Sequence, residues 1–154
     1  MVEVHVAGVA LDQISNMPII ILKDNDEREL PIWVGMFEAQ AILMVLENIT
    51  PPRPMTHDLL KNVVYTLGAN LKRVVITGLN NNTYFAKLII FIDGAIREID
   101  SRPSDAIALA LRTNSPIYVD PSVMSSSIPI TPIDDEEVRR FKEQLKNIEL
   151  EDFL

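Results

Sequence analysis

The stretch that decides the fold is LKRVVITGLNNNTYFAKLIIFIDGAIREIDSRPSDAIALALR, residues 71–112. Its first half reads as two β-rich runs, Leu71–Leu79 and Thr83–Ile92, on either side of the turn Asn80-Asn81-Asn82. Asp93-Gly94 is a strong two-residue hairpin signal, because both residues accept the positive φ that such a turn needs. A third strand, Ala95–Asp100, therefore returns beside the second. The pattern then changes. Pro103 has no amide hydrogen to give and a φ already suited to a helix, so it fits the first position of a helix that runs to about Arg112. Asn114 and Pro116 stop it.

Upstream, residues 2–11 alternate imperfectly, with Val2, Val4 and Val6 against Glu3, His5 and Ala7, and read as a strand. Pro18–Leu22 and Glu29–Val34 are two more strands about an Asp24-Asn25-Asp26 turn. An antiparallel meander is the simplest arrangement. Met36–Leu46 carries only Glu38 and Gln40 as polar residues and suits a helix covered on most sides, in the core or at a subunit contact. Three prolines within Thr50–Pro54 end it. Thr56 is a suitable N-cap for a second helix, flanked by Met55 and Leu60 at staple positions. Leu59, Leu60, Val63, Val64 and Leu67 form that helix's apolar stripe, and Gly68 stops it. Trp33 is expected in the core.

Downstream, Pro116–Val119 reads as a short strand and residues 120–133 as a loop. A last helix follows, capped by Asp134 and Glu137, with the stripe Val138, Phe141, Leu145 and Ile148. The domain is expected over residues 1–125, with a linker and an amphipathic helix bearing an acidic tail over 126–154.

The chain has 154 residues, 47% of them hydrophobic and 23% charged, which suits one domain with a real core. It contains no cysteine, which excludes a disulfide framework, a thiolate nucleophile and a cysteine zinc site. Together with an N-terminus that lacks a basic start, this leads us to expect a cytoplasmic protein. No apolar run approaches the roughly 18–20 residues a bilayer demands, so no membrane partner is expected. Net charge is −8. Residues 134–154 hold eight acids and four bases, and residues 1–133 hold 14 acids and 10 bases, so each part contributes −4. No dense Lys/Arg run exists of the kind that drives nonspecific nucleic-acid binding.

The chemistry-bearing residues gather in three places. His57 and Asp58 fall in the first turn of the second helix. There a carboxylate is favoured by the helix dipole, and the histidine is either a surface residue or a proton carrier. Asp100 ends a strand just before Arg102, Ser104 and Asp105 begin a helix, where free amide groups favour anions. These residues are either an Arg–Asp network pinning a tight strand-to-helix turn, or a site in which carboxylates hold a divalent cation and Arg102 grips a phosphate. Glu38 needs a partner, because an unpaired buried charge is costly. It is either a helix-surface residue, a partner for Arg53 or Arg102, or a third carboxylate of the site.

The blocks LPIWVGMFEAQAI, PPRPMTHDLL, TYFAKLII and EIDSRPSDAIALALR resemble, in order and spacing, the signatures of the bifunctional nuclease domain family. The likeness spans roughly residues 1–125. It implies a compact α/β fold with a strongly bent, mostly antiparallel sheet and flanking helices, assembled as a homodimer or larger homo-oligomer. It also implies cleavage of RNA and DNA, an activity attributed to plant members. Carried over residue by residue, it puts Glu38, His57, Asp58, Asp100, Arg102, Ser104 and Asp105 in one polar pocket. Two functions follow. In the first, a metal-assisted nuclease, Mg²⁺ or Mn²⁺ sits among Asp100, Asp105, Asp58 and Glu38. His57, Asp58, Arg102 and Asp105 carry the chemistry, while Arg53, Arg102 and Ser104 hold RNA or single-stranded DNA. In the second, a non-catalytic homo-oligomeric binding or regulatory module, the pocket is a structural charge network.

Overall fold

The structure, a computed structural model, describes residues 1–126, 139–140 and 142–143. Its elements run β1 (Val2–Leu11), β2 (Pro18–Lys23), β3 (Glu29–Trp33), α1 (Met36–Leu46), α2 (Thr56–Thr66), β4 (Asn70–Asn80), β5 (Thr83–Ile92), β6 (Ala95–Ser101), α3 (Pro103–Thr113), β7 (Ile117–Val119) and α4 (Pro121–Ser125). The seven strands form one mixed sheet in the order β3-β2-β1-β7-β4-β5-β6. Only the β4–β7 pair is parallel. The fold is α/β with a mostly antiparallel sheet, as the family resemblance implies.

The two tight hairpins explain half of this sheet. Asn81 and Asn82 adopt φ of 52° and 61°, and Asp93 and Gly94 adopt 51° and 74°. Both turns therefore have positive φ at both central residues, the mirror-image geometry whose twist matches the strands it joins. Registers Asn80↔Thr83 and Ile92↔Ala95 follow directly. The other half pivots on β1. Its start, Val2–Val4, pairs with β7, and its remainder from His5 pairs with β2. A bulge between Val6 and Gly8 lies just past this handover and turns the sheet.

Helix α3 is the hub. It packs on β4 and β5 and against both α1 and α2. Ile107 and Leu109 are fully buried, each contributing about 2 kcal/mol. Ala106, Ala108 and Ala110 are also buried, and their small side chains let the neighbouring helices approach. Pro103 is its first residue and Asn114, at φ 52°, ends it, both as the sequence predicts.

Several expectations need correction. Most of the stripe of α2 is not core: Leu59, Leu60, Val63 and Leu67 are exposed, Val64 packs partly buried against the core, and His57 is the helix's only buried residue. Thr56 is its first residue and Met55 its N-cap, so Met55 is no staple. The capping acceptor is the Asp58 carboxylate, 3.0 Å from the Met55 amide nitrogen. Helix α1 is only partly covered, with Met36 and Phe37 exposed. Trp33 is half-buried and donates its indole N–H to Asp12 at 2.8 Å. Residues 121–125, read as loop, are helical, because Asp120 accepts from the Ser122 amide and Pro121 fits the first turn. Of the last helix, Arg139, Arg140, Lys142 and Glu143 are described and helical, with Lys142 Nζ 3.9 Å from Glu47 on α1's C-cap. Its apolar stripe lies outside the described residues. Among those residues, no helix is long and apolar enough to cross a membrane.

Candidate active site

The starts of α2 and α3 and one face of α1 surround a hollow of about 340 Å³. The first turn of α2 supplies His57. The first turn of α3 supplies Asp105, and its N-cap is Arg102. The start of α1 supplies Glu38 and Gln40. All five residues line the hollow.

Asp105 joins the pieces. Its Oδ1 lies 2.9 Å from His57 Nε2, and its Oδ2 accepts from Arg102 Nε at 2.9 Å. Arg102 Nη1 donates in turn to Glu38 Oε1 at 3.2 Å. Burial raises the Asp105 pKa, but the bonds from Arg102 and His57 outweigh it and hold the carboxyl below its ordinary value. Arg102 is shifted upward, chiefly by its bond to Asp105. Asp105 is thus an anion at neutral pH and can only accept. His57 Nε2 must therefore carry the hydrogen, leaving Nδ1 as the nitrogen able to take a proton.

A second group stands behind this one. Arg112, whose side chain is 6% exposed, donates through Nε to Asp58 Oδ1 at 2.8 Å. Its other nitrogens donate to the carbonyls of Ala108 and Ala41, each at 2.9 Å. One guanidinium thus ties α1, α2 and α3 together. Asp58 has both oxygens committed, one to Arg112 and one to the Met55 amide. It holds α2 in place rather than facing the hollow.

The remaining sequence candidates disperse. Ser104 is buried and lines a neighbouring cavity of about 490 Å³, which meets the hollow at Arg102. Asp100 is exposed on edge strand β6, opposite Lys87 in register, and lines neither cavity. Arg53 is exposed before α2 and also lines neither. Glu38 has found Arg102, one of the partners foreseen for it. The four acids considered for Mg²⁺ or Mn²⁺ do not converge. Both oxygens of Asp105 and of Asp58 are occupied, by guanidinium, imidazole or amide donors. Among the described residues no three His, Asp or Glu side chains group as ligands. This donor set does not fit a divalent cation as it is arranged.

Two residues escaped the sequence reading. Arg112 looks like an ordinary cation at a helix C-terminus. Its signal is the spacing from Asp105, seven residues or two turns, which puts both on one face of α3. Gln40 is buried, and its side-chain nitrogen has no hydrogen-bond partner. It marked itself only as one of two polar residues in an apolar helix. Gly35, the N-cap of α1, also matters: a Cβ there would collide with Glu38 Oε2, so glycine lets Glu38 fold back along the helix start.

Comparison with known proteins places the chain in a family. The model of the bifunctional nuclease domain matches residues 20–130. The chain is 40% identical over 162 aligned positions to an uncharacterized protein of Mycobacterium tuberculosis, covering 98% of this chain and 97% of that protein. It is 31% identical over 105 positions to bifunctional nuclease 1 of Oryza sativa subsp. japonica, covering 65% of this chain and 32% of the plant protein. The corresponding Arabidopsis thaliana protein gives 32% over 107 positions, 66% and 33%. The chain thus spans about a third of these plant relatives. It belongs to the bifunctional nuclease domain family.

Proposed function

We propose that this chain cleaves phosphodiester bonds in RNA or single-stranded DNA. The observation that carries the proposal is the unbroken series His57–Asp105–Arg102 on one hollow, within a family whose named plant members are nucleases. It joins a proton acceptor, a carboxylate that orients it, and a guanidinium suited to a phosphate. A hydroxyl attacks phosphorus while its proton passes to His57 Nδ1, and the P–O bond to the departing nucleoside breaks, its oxygen taking up a proton from solvent. In RNA the attacking group is the adjacent 2′-hydroxyl, and in DNA it is a water. Arg102 stabilises the charge that develops on the phosphate oxygens. Asp105 keeps the imidazole in the productive tautomer and offsets the charge it gains. Since the acids do not fit a metal as arranged, no step is routed through one.

The test is cleavage of labelled single-stranded RNA and DNA by purified protein, with and without EDTA, beside His57→Ala and Asp105→Asn. Loss of cleavage in both variants is expected, with EDTA without effect. Cleavage at full rate in both variants would refute the site, and cleavage abolished by EDTA would restore the metal.

A second reading, self-association, is favoured by one observation. Leu59 and Val63 of α2 and its C-cap Leu67 expose an apolar face (Leu67 is 70% exposed), and Phe37 at the start of α1 is 78% exposed. We propose that a second copy of the chain covers this face. Sedimentation of the wild type beside Leu67→Glu tests it: a dimer converted to monomer is expected, and a wild-type monomer at micromolar concentration would refute it.

A further inference from the structure

The cavity of about 490 Å³ beside the catalytic hollow is built differently from it. Its walls are Trp33 and Tyr84, its polar edge is Asn82, Thr83 and Ser104, and it shares Arg102 with the hollow. The indole of Trp33 is locked by its bond to Asp12 at 2.8 Å, so its ring plane is fixed before anything binds. Asn82 sits in the β4–β5 turn at φ 61° on the rim of the cavity, and its amide carries both a donor and an acceptor. Aromatic walls with a few placed polar groups, in a volume between about 300 and 1,000 Å³, are the usual make-up of a small-molecule site. A flat heteroaromatic ring with hydrogen-bonding edges matches both features, since it stacks on one and is read by the other.

We propose that this cavity is a nucleobase subsite, holding the base of the nucleotide whose phosphate lies at Arg102. Its placement relative to the cut bond rests on the nuclease reading given above; its affinity for a base does not. Arg102 is the ridge between the two spaces, so a nucleotide bound there has its base on one side and the His57–Asp105 pair on the other. The polar edge discriminates among bases, and the stacking wall favours single-stranded over paired substrate.

Trp33 is the chain's only tryptophan, so its fluorescence reports the cavity directly. Purified full-length protein is titrated with adenosine 5′-monophosphate, ribose 5-phosphate and inorganic phosphate. A saturable fluorescence change with the mononucleotide alone is expected. In Asn82→Gly, which keeps the positive φ but removes the amide, the mononucleotide is expected to bind about tenfold more weakly. Equal responses to the mononucleotide and to ribose 5-phosphate overturn the subsite. So does unchanged affinity in both Asn82→Gly and Thr83→Met, the second of which narrows the mouth of the cavity. Titration and cleavage measured side by side on the wild type separate the two claims. Mononucleotide binding in a protein that never cleaves upholds the subsite and sinks the nuclease, whereas cleavage without base-dependent binding does the reverse.

Discussion

Replacing Arg112 by alanine is the most informative perturbation, because one side chain holds three helices. Its guanidinium is almost wholly buried and makes bonds of 2.8, 2.9 and 2.9 Å to α2, α3 and α1 in turn. Removing one partner of a buried ion pair costs roughly 3–5 kcal/mol. Asp58 is 29% exposed and keeps the Met55 amide, so water reaches it and the lower end, about 3 kcal/mol, applies. The carbonyls of Ala41 and Ala108 each lose a charged donor but sit within helices that supply another bond, adding about 0.5 kcal/mol apiece. The sum is about 4 kcal/mol, a large part of the roughly 5–15 kcal/mol that holds a domain folded. It corresponds to a melting temperature lower by about 10–15 °C. Urea denaturation followed by circular dichroism should show a lower midpoint at unchanged m-value. Arg112→Lys should fall between, since one ammonium cannot reach three directions. In a double-mutant cycle with Asp58→Ala, coupling of about 1–2 kcal/mol is expected. A loss under about 1 kcal/mol for Arg112→Ala, or no coupling, would refute the view that this pair fastens α2 to α3.

Three further outcomes follow from the site. The Asp105 pKa is depressed in the fold, so the stability it adds is complete above the unfolded value of about 3.9 and fades as pH falls through the lower folded value. The advantage of wild type over Asp105→Asn, measured by denaturation, should be full at about pH 5 and shrink below about pH 4; an advantage that grew on acidification would reverse the assigned direction. Gln40→Met removes a buried side-chain nitrogen that has no partner and should raise stability by about 1 kcal/mol in calorimetry, whereas a destabilised variant would reveal a partner for that amide. Glu38→Gln frees Arg102 from the longest of its bonds and should tighten nucleoside monophosphate binding about two- to fivefold by titration calorimetry, with weaker binding contradicting competition at Arg102.

Local rules made most of the fold readable. The Asn81-Asn82 and Asp93-Gly94 turns need positive φ, and Pro103 needs a first helical position, so each declares its place without tertiary information. What stayed hidden depends on which faces meet. The stripe of α2 has the right period for burial, yet only His57 and, in part, Val64 of that helix turn inward. Periodicity tells that a face is apolar and not what covers it. For the same reason Trp33, apolar and on a strand, lies half-buried on an edge and bonded to Asp12 rather than in the core. Asp100 and Asp105 are close in sequence, but the exposed strand end and the helix face send them to different surroundings.

The electrostatics of the hollow constrain what can enter it. With His57 neutral, Glu38, Arg102 and Asp105 together carry one net negative charge, while Arg112 and Asp58 cancel. Such a cluster does not attract a phosphate from a distance, in keeping with a chain of net charge −8. A phosphate gains a place only by replacing a carboxylate that already holds the guanidinium. Glu38 is the one that can yield: its bond, at 3.2 Å, is longer than the 2.9 Å bond from Asp105, and its other oxygen leans on the bare Cα of Gly35. Asp105 holds the guanidinium more tightly through Oδ2 while its Oδ1 stays with His57. On the nuclease reading proposed above, an incoming phosphate displaces Glu38 and leaves the His57–Asp105 pair intact, which keeps the proton acceptor oriented while Arg102 changes partners. Affinity for the phosphate alone is then weak, because one anion is exchanged for another. The energy for productive binding has to come from the rest of the nucleotide, and the aromatic cavity on the far side of Arg102 is where such contacts are available.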